Sequence, residues 1–424
     1  MIVELINTGS ELLLGRTLNT HQQWLGRRLA DLGYVVSRQV CVPDTGPAIG
    51  QAVRESLARA DLILVTGGLG PTSDDLTREL IAQLLGRPLR EDPAIVAQLQ
   101  HFFASRNRPM PESNRVQAMV PEGATVLPNP HGTAPGLCME LRPNPFREGG
   151  SPTWLVMLPG PPRELRPMFS EVVAPLIRRV LPLQGDYVCH TLRTTGLGES
   201  VLAARVTRPL QPLVEQGLEV GYCAHPGRVD VRLAARGEAA ARLVRAGEGV
   251  VREELGAYLF GEGDEELEAV IIRRLTEREE TLAVAESCTG GCIAHRLTNV
   301  PGASAVFLAG LVTYSNEAKQ KFLGVSAEAL AEHGAVSEAV ARAMAEGVRQ
   351  QNRATYGLSV TGIAGPSGGT LTKPVGTVFV ALAGPSATRV EKNFNPCDRE
   401  TFKDVTAQQA LDLLRRQLIQ GRGQ

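Results

Sequence analysis

Ser287 stands where an apolar run ends and a glycine turn begins. The run covers residues 281–285, and Gly290 and Gly291 follow the serine before a helix-like stretch starts. This pattern predicts a strand, a tight turn and a helix, which places the hydroxyl beside backbone N–H groups at a helix start. Such a position can hold a nucleophile, an oxyanion or a phosphate. Serine also caps helices, so this stretch alone leaves a helix cap and a nucleophile as alternatives.

A lysine suited to act as a base follows about thirty positions later. Lysine occurs only at positions 319, 321, 373, 392 and 403, while arginine fills the other basic positions. Ser315 as N-cap and Gly324 as C-cap predict a short helix with Lys319 near its positive end, where a cation is disfavoured. A neutral amine there is a usable base for a serine. The alternative is a solvated surface lysine, which is what we expect of Lys321.

A second glycine-rich strand end and an arginine are expected to form one pocket together with Ser287 and Lys319. An apolar run over residues 356–360 ends in the string TGIAGPSGG, and Arg399 lies at the start of the last amphipathic helix. An arginine at a helix start can bind a phosphate. The residues of this second strand end that we expect to bind substrate are Gly362, Ile363, Ala364 and Gly365.

The N-terminal part carries a separate glycine-rich string, TGGLGPTSDD, over residues 66–75. Its glycines let the backbone approach a ligand closely, and Asp74 and Asp75 are expected to begin a helix. One interpretation is a phosphate cradle with carboxylates for a hard divalent ion such as Mg²⁺. The alternative is that both aspartates only cap the helix and complement its dipole.

The elements that position these residues alternate between strand-like and helix-like runs. Residues 1–170 read as a doubly wound α/β domain, in which ligands lie at the carboxyl ends of the strands. Residues 171–258 predict a small α+β domain, and a short acidic linker at 261–266 precedes a third, α/β domain over residues 265–424.

Composition narrows the class of protein. The formal net charge is −1 and hydrophobic residues make up 43%, which suits globular domains and offers no broad field for nucleic acid. No apolar run reaches the roughly 18 residues of a membrane span, and no secretion signal is evident at the N-terminus. Seven scattered cysteines without a Cys-x-x-Cys pair favour reduced thiols. We therefore expect a cytoplasmic protein with no membrane association.

Four strings of the N-terminal region resemble the molybdopterin-binding-like domain of the CinA family. They are NTGSELLLG from residue 7, TGGLGPTSDD from 66, PNPHGTAPG from 128 and LPGPPRE from 158. The resemblance implies a pyrophosphatase that hydrolyses ADP-ribose to AMP and ribose 5-phosphate with a divalent metal (Mg, Mn or Co). By position, the candidates for metal binding and water activation are Glu11, Asp44, Asp74 and Asp75, with Asp75 as the catalytic candidate. Asp44 has the alternative of a simple turn residue. The expected substrate-binding residues are Thr66, Gly67, Gly68, Gly70, Thr72, Gly132, Thr133, Pro159 and Gly160.

Further strings resemble the C-terminal CinA domain. They are AESCTGG from residue 285, YSNEAK from 314, GIAGPSGG from 362, KPVGTV from 373 and CDR from 397. The resemblance implies hydrolysis of nicotinamide mononucleotide (NMN) to nicotinate mononucleotide and ammonia, without a cofactor.

In that reaction Ser287 would attack the carboxamide and Lys319 would take its proton. Tyr314 would assist protonation of the leaving ammonia. Backbone N–H groups at Thr289, Gly290 and Gly291 would stabilise the oxyanion, and Thr289 keeps a helix-cap role. Alternatively, Lys319 activates water directly and Ser287 orients the amide.

The middle region resembles a KH-type fold but lacks a basic Gly-x-x-Gly loop, so nucleic-acid binding is not expected. Dimerisation or closure of an active site is the expected role, and a homodimer is the expected assembly. Two competing hypotheses stay open. One is a non-catalytic molybdopterin- or nucleotide-binding protein associated with competence or the DNA damage response, and the other is that only one of the two sites is active.

Overall fold

The computed structural model of the chain describes residues 1–420, which form two compact units, Met1–Tyr187 and a second unit that begins at Val188. The boundary predicted at residue 170 is too early. The helical segment over residues 162–180 packs on the core of the first sheet through Phe169, Val173 and Ile177 and therefore belongs to the first unit.

The first unit contains eight strands among residues 1–187. They are β1 Val3–Thr8, β2 Val36–Val42, β3 Leu62–Thr66, β4 Leu89–Glu91, β5 Met119–Pro121, β6 Thr125–Leu127, β7 Gly136–Leu141 and β8 Thr153–Leu158. The α-helices of this unit are α1 Ser10–Leu13, α2 Thr20–Asp31, α3 Gly46–Leu57, α4 Thr77–Leu84, α5 Pro93–Ala104, α6 Pro162–Met168 and α7 Ala174–Val180.

The main sheet of this unit has the order β2-β1-β3-β8-β7-β6, and its first four strands are parallel. Every residue of β1 and β3 is buried, because helices cover both faces of the sheet. The doubly wound prediction is confirmed. Chain order reverses between β1 and β3, which is where ligands bind in such sheets.

The second unit contains two sheets within the described residues. Its strands are β9 Tyr187–Thr195, β10 Glu219–His225, β11 Arg228–Arg236, β12 Leu259–Glu262, β13 Leu282–Glu286, β14 Phe307–Val312, β15 Tyr356–Gly362, β16 Thr377–Ala383 and β17 Thr388–Phe394. Its α-helices are α8 Glu199–Val214, α9 Ala240–Leu255, α10 Leu267–Glu277, α11 Cys292–Thr298, α12 Asn316–Leu323, α13 Ala327–His333, α14 Glu338–Gln351 and α15 Arg399–Gln420.

The smaller sheet, β10-β11-β9-β12, confirms the α+β prediction for the middle region. One detail differs. Gly261 and Glu262, predicted to lie in a linker, belong to β12 and pair with β9. The acidic and glycine-rich composition suggested a loop, but pairing with a neighbouring strand outweighs that local preference.

The larger sheet, β14-β13-β15-β16-β17, holds the C-terminal candidate residues. Strands β13, β14 and β15 are parallel, so Glu286, Val312 and Gly362 end at one edge. One face packs on α10, α11 and α15, and the other packs on α14. The residues that follow the three strands therefore meet at this edge. Among residues 1–420, no helix combines the length and apolar character that crossing a bilayer requires.

Candidate functional sites

Ser287 and Lys319 lie side by side at the edge where β13 and β14 end. The Ser287 N–H donates to the carbonyl of Val360 on the neighbouring strand at 3.0 Å, which fixes the serine beside β15. The Lys319 Nζ atom is 3.2 Å from Ser287 Oγ. Ser287 is 8% exposed and Lys319 is 1% exposed. A buried lysine against a serine hydroxyl is the arrangement that a serine–lysine nucleophile requires.

The surroundings of Lys319 favour its neutral form. Burial lowers the pKa of Lys319 below its ordinary value of 10.5. The amine donates to the carbonyl oxygens of Thr313, at 2.8 Å, and Tyr314, at 3.3 Å. In a neutral amine, two N–H groups serve these carbonyls and the lone pair is left for the Ser287 hydroxyl proton.

The surface alternative is wrong for Lys319, whereas Lys321 is exposed as expected. The physical cause also differs from the one the sequence suggested. Burial, rather than position near a helix N-terminus, lowers the pKa of the amine. The sequence could indicate the helix caps but not how deeply the side chain is covered.

Glu286 is a site residue that sequence reasoning missed. Its side chain is 0% exposed, and its carboxylate accepts hydrogen bonds from the N–H groups of Gly291 (3.0 Å), Ile293 (3.1 Å) and Ala294 (2.8 Å). It thereby satisfies the open N–H groups of α11, which have no partners inside the helix. A carboxylate at a strand end, shortly before a helix, was the available signal.

The oxyanion and cap roles predicted around this turn need correction. The Gly290 N–H donates to Ser287 O at 3.1 Å, and the Gly291 N–H is held by Glu286, so neither is free for an oxyanion. The N-cap of α11 is Gly291, whose φ of 98° favours glycine, and no side-chain hydroxyl caps that helix. Neither Ser287 nor Thr289 is therefore a cap.

Thr289 keeps two features of interest. Among residues 1–420, its N–H has no hydrogen bond to a backbone or side-chain oxygen, and it lies against the Cys288 thiol. Its hydroxyl is buried without a partner among those residues. Burial raises the pKa of Cys288 to about 12, so the thiol beside the nucleophile stays protonated. Of the three predicted oxyanion donors, Thr289 is the one whose N–H is not bonded to an oxygen among residues 1–420, and its role as a donor to an oxyanion stays a prediction.

A cavity of about 230 Å³ opens at the serine–lysine pair. Its lining residues are Ser287, Cys288, Tyr314, Lys319, Ala335, Val336, Thr361, Gly362, Ala364 and Arg399. Most of the C-terminal residues predicted from the sequence thus meet in one place. Sequence reasoning missed Thr361 and the two apolar wall residues Ala335 and Val336.

Thr289, Gly290 and Gly291 do not line the cavity, and neither do Ile363 and Gly365 of the second strand end, although these last two support its wall. The N–H of Ile363 donates to Thr377 O at 2.8 Å, and its carbonyl accepts from the Gly376 N–H, also at 2.8 Å. The Gly365 carbonyl accepts from Arg399 Nη1 at 2.9 Å. These residues hold the second strand end and the arginine in position.

Arg399 and Tyr314 form one side of the cavity mouth. Arg399 Nη2 donates to the Tyr314 hydroxyl at 2.8 Å, and Tyr314 is 61% exposed. The N–H groups of Glu400 and Thr401 are both taken by the Asp398 carboxylate at 3.0 Å, so the start of α15 does not offer them to a phosphate. The Arg399 guanidinium is the group at this helix start that lines the cavity, and its binding to a phosphate stays a prediction.

In the first unit, the parallel strands bring the predicted residues to one edge of the main sheet. The Asp44 carboxylate accepts from the Ser10 N–H at 2.7 Å, and the Asp44 N–H donates to Ser10 Oγ at 3.1 Å. Burial raises the pKa of Cys41, and the carboxylates of Glu11 and Asp44 add to that shift. Both carboxylates therefore lie near Cys41, just past the ends of β1 and β2.

The glycines that follow β3 are required by their surroundings. Gly67 and Gly68 have φ values of 94° and 69°, a region that favours glycine. A Cβ on Gly67 would lie 2.7 Å from Thr8 Oγ1, and one on Gly68 would lie 2.0 Å from Thr77 Oγ1. Thr66 is buried, and its hydroxyl accepts from Asn7 Nδ2 at 2.7 Å. This turn keeps its backbone close to the sheet edge.

Asp74 and Asp75 lie in the turn before α4 rather than at its start. The Asp75 carboxylate accepts from the N–H (2.9 Å) and hydroxyl (2.5 Å) of Thr72 and packs against Gly70. Helix α4 begins at Thr77 and has no side-chain cap. Both the helix start predicted at Asp75 and the capping alternative are wrong, because the carboxylate closes the turn instead.

The four carboxylates proposed for a metal do not form a preassembled cage. Within residues 1–420, no group of three or more His, Cys, Asp or Glu side chains is placed to hold an ion. Mg²⁺ is commonly held by only one or two carboxylates together with substrate phosphates, so it does not need a site built wholly of protein ligands. Asp74, which is exposed, or Asp44, which is partly exposed, can supply such a carboxylate. A metal that arrives with a nucleotide therefore fits, and metal binding stays a prediction.

The loop before β7 and the turn after β8 also meet at this edge. Buried Glu164 packs so closely on Gly132 that a Cβ there would lie 1.9 Å from its carboxylate, and Asn129 donates to the same carboxylate at 2.8 Å. Thr133, the next predicted residue, is partly buried in this loop, and Pro159 is buried beside Gly160. Glu164 was not singled out from the sequence, although it lies within a recognised string.

His21 is a second residue that sequence reasoning missed in the first unit. Its Nε2 atom hydrogen-bonds the Gly160 carbonyl, and its buried Nδ1 atom has no partner among residues 1–420. Burial lowers the pKa of His21, which favours the neutral ring. A histidine in the first turn of a helix carried no signal of this contact, because Gly160 is far away in the sequence.

Comparisons with known protein families match three successive regions of the chain. Family models match residues 4–179 (a probable molybdopterin binding domain), 189–261 (damage-inducible protein CinA KH domain) and 264–418 (CinA C-terminal domain). The chain is 45% identical over 412 residues to a CinA-like protein of Akkermansia muciniphila, covering 96% of this chain and 95% of that one. The chain belongs to the CinA family.

A second relative matches the full length of the chain, and a solved structure matches part of it. A putative competence-damage inducible protein of Symbiobacterium thermophilum is 46% identical over 437 residues, covering 99% of each chain. The crystal structure of a competence/damage inducible protein from Agrobacterium tumefaciens is 38% identical, with a TM-score of 0.34, and covers 36% of this chain and 96% of that one. The two full-length relatives extend the family assignment over all three domains.

Proposed function

We propose that the C-terminal CinA domain is an amidohydrolase that converts NMN and water into nicotinate mononucleotide and ammonia. The observation that carries this proposal is the 3.2 Å approach of Lys319 Nζ to Ser287 Oγ inside a small buried cavity. Burial lowers the pKa of the lysine, which makes it a base at lower pH than an exposed lysine would be. No metal or cofactor is needed for this chemistry.

The reaction proceeds in two balanced steps. Ser287 Oγ forms a bond to the carboxamide carbon while its proton passes to Lys319 Nζ. The C–N bond then breaks, and protonated Lys319 returns the proton to the leaving nitrogen, which departs as ammonia. Water next attacks the acyl-serine and gives a proton to Lys319, which passes it to Ser287 Oγ as the acyl C–O bond breaks. Free Ser287 and neutral Lys319 are thereby restored, and the acid product loses its own proton to solvent and leaves as the carboxylate.

Two features of the site support the charge changes in these steps. The carbonyls of Thr313 and Tyr314 hold the lysine in place and stabilise it when protonated. The Thr289 N–H remains the donor for the oxyanion. In the alternative route, Lys319 activates water and Ser287 only orients the amide, and the same two contacts would serve it. Tyr314 accepts a hydrogen bond from Arg399, which leaves its own O–H proton free, so we retain it as the residue proposed to assist protonation of the leaving ammonia.

We further propose that the N-terminal domain hydrolyses ADP-ribose to AMP and ribose 5-phosphate. Its supporting observation is the glycine turn after β3 beside carboxylates at the switch point of a doubly wound sheet. Asp74, Asp75, Asp44 and Glu11 are the residues proposed to hold a divalent ion, which would neutralise charge on the pyrophosphate. A non-catalytic nucleotide-binding role is the rival proposal.

Replacing the nucleophile tests the C-terminal activity. We expect Ser287→Ala to lower ammonia release from NMN by about 10³-fold or more, because among residues 1–420 Ser287 Oγ is the one hydroxyl that hydrogen-bonds Lys319 Nζ. Ser326→Ala is the matched control, since Ser326 is an exposed helix cap on α13 in the same domain. Equal loss in both variants, or none in Ser287→Ala, would overturn the assignment.

A further inference from the structure

A second cation lies one helical turn beyond Arg399, above the glycine turn of the nucleophile. Lys403 follows Arg399 by four positions on α15, and residues at this spacing share one face of a helix. A Cβ added to the exposed Gly290 would lie 4.0 Å from Lys403 Nζ. Arg399 lines the cavity mouth itself. The two cations therefore share one face of α15, and Lys403 lies beside the glycine turn that follows Ser287.

Neither cation is neutralised by a carboxylate. Among residues 1–420, Arg399 and Lys403 form no ion pair, and Arg399 donates only to a carbonyl and a phenol oxygen. The acidic neighbours are directed elsewhere. Asp398 caps α15, and the Asp404 carboxylate accepts from the Cys292 thiol at 3.8 Å.

At the other end of the same helix, in contrast, the arginines form ion pairs with carboxylates. Arg415 is paired with Asp412 at 2.7 Å, and Arg416 is paired with both Asp412 and Glu391. Two unpaired cations beside a nucleophile thus mark a place prepared for an anion.

The size of the cavity sets where that anion lies. Pockets that enclose a whole small ligand usually have about 300–1,000 Å³. The cavity at Ser287, at about 230 Å³, is smaller and holds only part of a mononucleotide. With the carboxamide at Ser287, the ring fills the cavity, and the ribose and its phosphate must extend past the mouth. Arg399 lies at that mouth, and Lys403 lies one helical turn further along α15.

We propose that Lys403 binds the phosphate of the substrate and, together with Arg399, makes the C-terminal site selective for a phosphorylated pyridine nucleotide over the unphosphorylated nucleoside. This inference rests on the proposed amidohydrolase function and adds the specificity residue to it. A lysine ammonium is a compact charge that can follow a phosphate on a flexible stem, while Arg399 is fixed by its two hydrogen bonds.

The test compares two substrates in Lys403→Gln. We expect KM for NMN to rise about tenfold with kcat nearly unchanged, because one charge-assisted contact to phosphate is lost far from the carboxamide. Turnover of nicotinamide riboside, which lacks the phosphate, should not change. Lys403→Arg should restore most of the affinity, and Lys392→Gln, an exposed lysine on β17, is the matched control.

An unchanged KM for NMN in Lys403→Gln, or an equal loss with the riboside, would overturn the inference even if the enzyme is active. A binding measurement separates this failure from failure of the proposed function. Calorimetry of NMN with Ser287→Ala, alone and combined with Lys403→Gln, needs no turnover. Weaker binding in the double variant supports the phosphate contact whether or not ammonia is released, and equal or undetectable binding in both refutes it.

Discussion

Burial and three polar contacts make the Lys319 amine a candidate general base. Its amine is 1% exposed and is held by two carbonyls and one hydroxyl. Lys319 and its partner Ser287 could be predicted from the sequence, through the helix caps Ser315 and Gly324 and the strings AESCTGG and YSNEAK. The carbonyls of Thr313 and Tyr314 could not be foreseen, because their approach depends on the path of the chain between β14 and α12.

The pH dependence of ammonia release should report the lowered pKa of Lys319. The base is active when unprotonated, so kcat/KM for NMN should rise with pH and level off below the ordinary lysine value of 10.5. Lys319→Arg should lose nearly all activity, because a guanidinium does not give up its proton. Lys319 would be excluded as the base if that variant had near wild-type turnover, or if kcat/KM of the wild type levelled off only at the ordinary lysine pKa of 10.5.

The same pKa shift predicts a pH-dependent stability. The unfolded chain keeps a lysine pKa near 10.5, and the folded chain has a lower one. Between these two values the unfolded state binds more protons, so the free energy of unfolding attributable to Lys319 increases as pH rises through that window. Urea unfolding across alkaline pH should show this increase in the wild type and a weaker one in Lys319→Met. Identical slopes would contradict a buried, easily deprotonated amine.

At the level of elements, the turn between β13 and α11 is organised by a carboxylate rather than by hydroxyl caps. Glu286 reaches five to eight residues ahead to bind the first N–H groups of α11. Sequence rules favour Ser or Thr as caps, so they pointed to Ser287 and Thr289. With the helix start satisfied by Glu286, the Ser287 hydroxyl is left for Lys319.

Glu286→Gln should therefore affect both folding and activity. An amide loses the charge and turns an N–H group towards backbone N–H donors, which we expect to cost about 2–3 kcal/mol in the free energy of unfolding. Activity on NMN should fall because the serine turn is no longer fixed. Glu328→Gln, at an exposed position on α13, is the control for charge loss. Denaturant unfolding and ammonia release measure the two effects, and wild-type values for both would refute this role.

At the level of the whole molecule, the order of three domains could be predicted because the first and third each carry several motifs and the middle region has its own pattern of strands and helices. The fold class followed from alternation of strand-like and helix-like runs. The exact boundaries could not be predicted, since residues 171–187 were assigned to the α+β domain from the sequence but belong to the first unit, where residues 172–183 pack on its sheet. The metal ligands are also beyond sequence reasoning, because adjacent aspartates do not reveal that Asp75 is engaged by Thr72.

Two chemically separate sites on one chain are the central claim, and a parallel assay of both reactions tests it most directly. Wild type, Ser287→Ala and Asp75→Asn should each be assayed for ammonia from NMN and for AMP from ADP-ribose with Mg²⁺, Mn²⁺ or Co²⁺. We expect Ser287→Ala to lose only ammonia release and Asp75→Asn to lose only AMP release. If neither substitution selectively abolishes one reaction, or if wild type catalyses neither, the two-site account is wrong.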